Sequence, residues 1–184
     1  MERMRVMKRL VGMVLCLCVL VGVTMSLAQG AEKTKLGTLN VNGAFDLKGT
    51  IPDGYALNIE IADTTMIRAL IESEDQAKPH MSLTIAFSEL IADVDRLNDL
   101  NNDQLTLLEQ TFKAEDDVEI SYRNTDHGTK LMIVEAKDKY IVFYTIYKGY
   151  EIEFLLTPGT SPMTDAQIDM VIGFLSDLDF DSAE

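Results

Sequence analysis

Short strand-like runs near the C-terminus constrain the fold more than any other feature of this sequence. Apolar and polar residues alternate at 118–122, and three further strand-like runs follow, at 129–137, 140–147 and 150–156. The connections between them are short, and Asp126-His127-Gly128 and Lys148-Gly149 are typical of hairpin turns. Parallel strands need crossovers of about a dozen residues or more, so these runs predict an antiparallel meander.

The N-terminal half predicts more strands. The turn Pro52-Asp53-Gly54 separates a short alternation at 44–51 from a longer one at 55–61. Two further strand-like runs follow, at 65–72 and 81–87.

Three segments have helical rather than strand spacing. An apolar residue recurs at every third position from 91 to 100, which predicts a short helix near 89–99. A second helix is predicted near 103–115, with Asn102 or Asp103 as its N-cap. Thr164 and Gln167 form a capping box before the last helix. Its apolar stripe consists of Ile168, Val171, Ile172, Leu175 and Leu178. We therefore expect one α+β domain at 44–184, an antiparallel sheet with helices packed on it, after a flexible lead-in at 29–43.

The first 28 residues are typical of a secretory signal peptide. A basic head precedes an uncharged apolar run at 10–27, and the small residues Ser26 and Ala28 predict cleavage after Ala28. An uncleaved membrane anchor stays open as the alternative. A third interpretation, a lipoprotein signal using Cys16 or Cys18, is disfavoured because bulky Leu15 and Leu17 precede these cysteines where that signal needs a small residue. All three interpretations place the domain outside the cytoplasmic membrane, in the periplasm or the extracellular space. Both cysteines lie in this segment, so the mature domain is expected to form no disulfide.

The chain is strongly acidic, with a formal net charge of -14. Residues 1–28 carry four basic side chains and one acidic one, so cleavage leaves -17. This charge argues against binding of nucleic acid or anionic membrane surfaces. A solvated surface explains the charge most simply, while a cation or a basic partner is the sharper alternative.

The order of these elements resembles the PsbP-like superfamily and, within it, the DcrB-like exported bacterial proteins. The resemblance covers about 44–180 and rests on four stretches: Pro52-Asp53-Gly54-Tyr55, Ala86-Phe87-Ser88-Glu89, Leu105-Thr106-Leu107-Leu108 and Lys148-Gly149-Tyr150-Glu151-Ile152-Glu153-Phe154. It implies an α-β-α sandwich and an accessory or binding role in a larger assembly. It implies no catalytic residues.

The sequence offers little for catalysis. A hydrolytic triad needs a base, and the histidines are His80 at a strand edge and His127 in a turn. No G-x-S-x-G or H-E-x-x-H motif accompanies them. We therefore expect a protein that is not an enzyme and has no cofactor.

Two groups of residues are candidate binding sites. The oxygen ligands Asp99, Asn101 and Asp103 are spaced like the start of a calcium loop, but positions six and twelve are Gln104 and Gln110. Helix capping and a turn are the simpler interpretation of these three residues. The second group is a cluster of tyrosines that could wall a ligand groove or pack under a helix: Tyr140, Tyr144, Tyr147 and Tyr150. Strand alternation predicts Tyr140 and Tyr144 on one face and Tyr147 on the other.

These features predict an exported, non-enzymatic accessory or binding protein of the bacterial cell envelope. Its partner would be another envelope or secreted protein, or a small ligand held between sheet and helix. Two alternatives remain: a glycosidase-like enzyme with paired carboxylates, and a calcium-dependent binding module.

Overall fold

The computed structural model of the protein describes residues 38–114, 117–125, 127–137, 139–161, 163–176 and 179–182. The predicted signal peptide, with its cleavage site at Ala28, lies outside these ranges.

Strands dominate the described residues. They are β1 (Thr38–Val41), β2 (Phe45–Lys48), β3 (Tyr55–Ala62), β4 (Met66–Ser73), β5 (His80–Phe87), β6 (Val118–Asn124), β7 (Lys130–Ala136), β8 (Tyr140–Tyr147), β9 (Tyr150–Thr157) and β10 (Asp179–Ser182). The α-helices are α1 (Asn102–Lys113) and α2 (Asp165–Ser176), and single 3-10 turns occur at Glu89–Ile91 and Leu97–Asp99.

Seven strands form one antiparallel sheet in the order β3-β4-β5-β9-β8-β7-β6. Strands β6 to β9 follow one another as neighbours, which confirms the predicted meander. The segment between β5 and β6 contains α1 and carries the chain to the far edge of the sheet. Strand β9 returns to pair with β5, so the two halves of the chain share one continuous sheet.

A second, three-stranded sheet has the order β1-β2-β10. Strand β1 lies in the segment for which the sequence predicted a flexible lead-in. Asn42 and Gly43, at φ +52° and +74°, form the turn between β1 and β2, and Ala44 N–H donates to the Val41 carbonyl at 2.8 Å. An Asn-Gly pair is the strongest short-range hairpin signal, so this dipeptide could have revealed the hairpin.

The predicted α+β class, with the α-β-α sandwich that the resemblance implies, is wrong. Strands make up 49% of the described residues and helices only 19%. The apolar repeat at 91–100 has a period of three, which matches the 3-10 helix, and this segment forms isolated 3-10 turns instead of an α-helix. Strands β1 and β10 add further β-structure at both ends of the described chain.

The sheet separates two hydrophobic cores. The first lies between the large sheet and the small sheet with α2, and its largest fully buried side chains include Phe45, Leu47 and Phe143. The second lies between β6–β9 and the segment that contains the 3-10 turns and α1, where Leu97, Leu108 and Phe112 are buried. No residue of β3, β4 or β5 belongs to this second core as far as the described ranges extend.

Helix caps determine where both α-helices begin. The N-cap of α1 is Asn101, one residue before the earlier of the two predicted positions. Its Oδ1 accepts from the Gln104 N–H and its own N–H donates to Gln104 Oε1, both at 3.0 Å. The predicted capping box of α2 is confirmed, because the Thr164 N–H donates to the Gln167 side chain at 2.9 Å. Val171 of α2 is buried in the first core and Ile168 packs against that core, whereas Leu178 of the predicted apolar stripe lies outside the described residues.

Candidate functional site

One part of the large sheet has no helix over it among the described residues. On β4 and β5, the side chains facing the first core are buried, while those on the opposite side are only half-buried. The same face continues onto β9, where Glu151 is half-buried and Glu153 is buried beside the second core. We call this surface the open face, and it consists of Met66, Arg68, Leu70, Ser82, Thr84, Ala86, Glu151 and Glu153.

Strand register arranges the open face in rows. Arg68, Thr84 and Glu153 form one row across β4, β5 and β9, because Arg68 is opposite Thr84 and Thr84 is opposite Glu153. The side chains on β5 are small, so the middle of the face is low. The row therefore has a cation at one end and a carboxylate at the other.

The cationic end of the row is fixed by an ion pair. Arg68 Nε lies 3.2 Å from Glu60 Oε2 on β3. Glu60 is the extra residue of a β-bulge between Ile59 and Ile61, which shifts the register of β3 against β4. A bulge re-aims the side chains beside it, and here it accompanies the placement of Glu60 against Arg68.

The carboxylate end of the face lies in an environment that perturbs titration. Burial raises the pKa of Glu151, although the Ser88 and Tyr144 hydroxyl groups partly oppose that effect. Burial also raises the pKa of Tyr144 well above its ordinary value, and the carboxylates of Glu151 and Glu153 add to the shift. Glu153 is only 6% exposed. Two acidic side chains and a tyrosine hydroxyl thus meet in a region of low solvation.

The structure divides the predicted tyrosine cluster between the two sides of the sheet. Tyr144 packs edge-on against Phe112 with ring centroids 5.9 Å apart, and Tyr140 borders the same core. Tyr147 and Tyr150 lie in the first core, where both contact Phe45 at 5.0 and 5.4 Å. The predicted division of faces is confirmed. The four rings do not line one groove, and Tyr144 alone borders the open face.

The structure uses the predicted calcium-loop residues as caps. Asp99 Oδ2 accepts a hydrogen bond from the Arg96 N–H at 2.9 Å, and Asn101 caps α1. Asp103 is exposed in the first turn of that helix. Within the ranges that the structure describes, no three His, Cys, Asp or Glu side chains are grouped as metal ligands.

The two histidines occupy separate surface elements. His80 is the first residue of β5 and is opposite Thr157 of β9. His127 is exposed in the turn between β6 and β7, where the Gly128 N–H donates to the Thr125 carbonyl at 2.9 Å.

Sequence analysis missed Glu151 and Glu153 as site residues. The signal was present, since two glutamates alternate with apolar residues in a strand that follows the apolar run at 140–147. When the sequence predicts that both faces of a strand are buried, a carboxylate on that strand indicates that part of one face is not covered by another element. Which face is uncovered depends on the pairing of β9 with β5, and β5 lies about 70 residues earlier in the chain.

No protein-family model matches the chain, and no curated protein has a matching sequence. Among the described helices, none has both the length and the apolar character needed to cross a membrane.

Proposed function

We propose that this chain is an exported, non-enzymatic binding protein whose partner contacts the open face. The observation that carries the proposal is the placement of Glu151 and Glu153 beside the buried Tyr144 hydroxyl. Many antiparallel sheets have one face that is exposed to solvent. Solvent exposure of the face does not explain why two of its carboxylates lie at positions with little solvent. Ionisable groups in such positions cost stability and cluster at functional sites.

The charges of the open face favour a partner with a cationic group. A cation placed over Glu151 would offset the burial that disfavours the charged form of this carboxyl group. Arg68 at the other end of the row would donate hydrogen bonds to a carboxylate or a carbonyl oxygen of the partner. The net charge of -14 acts in the same direction, because it attracts a basic partner over a longer range.

Two further observations support an exported accessory protein. The pattern of residues 1–28 is that of a signal peptide. The resemblance to DcrB-like proteins, which extends over 44–180, implies an accessory or binding role.

Site-specific photo-cross-linking tests this proposal. A cross-linking amino acid at position 84 would lie in the middle of the open face, and the same amino acid at position 121 would lie on the exposed surface of β6. We expect a defined adduct with one exported protein from position 84 and none from position 121. The adduct should weaken in Arg68→Glu. Equal adducts from both positions, or none from position 84 in a folded protein, would contradict the proposal.

The same carboxylates support a second candidate, a hydrolase with paired acids. Glu151 and Glu153 are two residues apart on one strand, about 7 Å between Cα atoms. Glycosidases separate their two carboxyl groups by about 5–10 Å. Assays of the full chain against aryl glycosides discriminate between the candidates. Hydrolysis that disappears in Glu151→Gln would favour the enzyme over the binding protein.

A further inference from the structure

The two edges of the large sheet differ in how they are protected. Edge strand β6 presents Glu119 and Arg123, and its Tyr122 hydroxyl donates to Glu109 Oε1 at 2.8 Å while Lys130 lies 4.5 Å from the ring centroid. Side chains that are charged, or that already make contacts within the chain, discourage the addition of another strand. Edge strand β3 instead exposes Ile59 (47%) and Ile61 (42%). Ile59 is the most exposed large apolar side chain in the described part of the chain.

A regular segment of β3 is available for pairing. Residues 55–59 pair in unbroken register with β4, from Tyr55 opposite Ser73 to Ile59 opposite Ala69, and the bulge follows. Among the described strands, β4 is the single neighbour of β3, so its outward backbone N–H and C=O groups face away from the sheet. Such an edge is a template for an added strand. The bulge limits that strand to about five residues.

An acidic cavity adjoins the start of the same segment. It has a volume of about 380 Å³, and its lining includes Ala56, Glu72, Glu74, Asp75 and Lys78. Ala56 and Glu72 are directly opposite each other on β3 and β4, so the cavity lies beside the side-chain row that an added strand would extend. Three carboxylates and one ammonium group give the lining a negative balance.

Lys78 is held to one side of this cavity. Its Nζ lies 5.5 Å from the centroid of the Tyr55 ring, in cation–π contact. A Cβ at Gly54 would lie 2.8 Å from the same nitrogen, so the absence of a side chain there leaves room for the ammonium group. The Tyr55 hydroxyl donates to the Pro79 carbonyl at 3.1 Å, which fixes the ring.

We infer that the edge of β3 binds an extended segment of a partner protein by strand addition, with a basic side chain opposite Ala56 and an apolar side chain opposite Ile59. Backbone pairing along 55–59 would supply the affinity, and the two side-chain positions would supply the specificity. The segment 53–78 contains six acidic and two basic residues, so its charge complements a basic strand. The inference concerns the sheet edge and goes beyond the proposal for the open face.

The strand register explains how one added strand could contact both side-chain positions. Ala56 and Ile59 are three residues apart on β3 and therefore lie on opposite faces of the sheet. A strand added antiparallel would present its basic residue on the face with Glu72 and its apolar residue, three positions away, on the face with Ile59. A Lys or Arg side chain is long enough to reach from the position opposite Ala56 to the cavity.

Fluorescence anisotropy with a labelled peptide tests the inference. The probe is an eight-residue peptide of alternating threonine and valine with one arginine, and its control carries N-methyl groups at alternate residues along one edge. We expect the full chain to bind the probe and to bind the N-methylated control at least about tenfold more weakly, because the methyl groups remove backbone donors. Equal binding of the two peptides would overturn strand addition.

Matched variants locate the site. Ile59→Lys places a charge on the β3 edge, and Ser121→Lys places the same charge on the β6 edge. We expect a loss of about tenfold or more in affinity for Ile59→Lys and no change for Ser121→Lys, with both proteins folded by circular dichroism. Lys78→Ala should bind the probe more tightly because it removes the cation from the cavity, and weaker binding would contradict the role of the cavity.

Two other occupants of the edge are distinguishable. A dimer of the unliganded chain in sedimentation analysis, abolished by Ile59→Lys, would show that a second copy fills the edge. Probe binding that requires deletion of residues 29–36 would show that the chain's own N-terminal segment fills it. Either result would overturn the assignment of the edge to a partner strand.

Discussion

Gly149 is a residue at which the segment before α1 is hydrogen-bonded to the sheet. Its N–H donates to the Val94 carbonyl at 3.0 Å, and its carbonyl accepts from the Ser88 N–H at 3.0 Å. A Cβ at this position would lie 3.0 Å from the Ala92 Cα and 3.2 Å from the Phe87 ring. The residue also has φ +78°, which an L side chain adopts with strain.

We expect Gly149→Ala to destabilise the fold more than Gly43→Ala. Gly43 has a similar φ of +74° but nothing within 4 Å of its Cβ position, so it reports the backbone strain alone. That strain costs about 1–2 kcal/mol, and the contact with Ala92 adds to it at position 149. Urea denaturation of both variants gives the comparison. Equal losses in the free energy of unfolding would show that Ala92 and Phe87 move aside.

The carboxyl group of Glu151 is expected to make stability depend on pH. Burial raises its pKa from 4.5, so the folded protein holds this proton at pH values where the unfolded chain has released it. Its contribution to stability is therefore complete below the unfolded pKa and is lost as pH rises through the folded pKa. Denaturation at several pH values should show this decline in the wild type and not in Glu151→Gln. A decline of the same size in both proteins would assign it to other groups.

A hydrogen bond connects α1 to edge strand β6 and should be visible by titration. Burial and the hydrogen bond to Glu109 raise the pKa of Tyr122 to about 12. We expect Glu109→Gln to lower this pKa, because it removes the negative charge while keeping an oxygen acceptor. Ultraviolet absorbance titration measures the change, with Tyr122→Phe to identify the signal. An unchanged pKa would mean that burial alone causes the shift.

Two substitutions at the start of α1 can distinguish the N-cap in the structure from the N-cap that the sequence predicted. Asn101 caps the helix through Gln104, whereas the sequence favoured Asn102 or Asp103. Asn101→Ala should cost about 1 kcal/mol of stability, and Asn102→Ala should cost only a few tenths. Thermal or urea denaturation measures both. A larger loss for Asn102→Ala would place the cap where the sequence put it.

The sequence predicted some elements well because their signals lie within a few consecutive residues. The apolar run at 140–147 and the tight Lys148-Gly149 link determine a hairpin, and Thr164 with Gln167 determines the start of α2. Strand β10 could not be found in this way, because Asp179 pairs with Lys48 across most of the chain. The open face had the same limitation, since Glu153 meets Thr84 only through the pairing of β9 with β5.

At the scale of the whole molecule, the signal-peptide prediction leaves two outcomes for the domain, release after cleavage or anchoring by an uncleaved segment. Cleavage after Ala28 would leave segment 29–37 ahead of β1, which begins at Thr38, so the small sheet keeps all three strands. The processed chain would carry a net charge of -17 and no cysteine. Release therefore costs the described fold nothing.

We expect mass spectrometry of the exported protein to give a mature chain that begins at Gln29, recovered without detergent. Ala28→Pro should block cleavage, because signal peptidases require a small residue before the scissile bond. Its product should remain in the membrane fraction, while Ser82→Ala, in the middle of the sheet, should be processed normally. An intact Met1 on wild-type protein that resists extraction would instead support the uncleaved anchor. The domain would then act at the membrane surface. Because the domain is acidic, it would need a basic partner there to offset repulsion from anionic lipids.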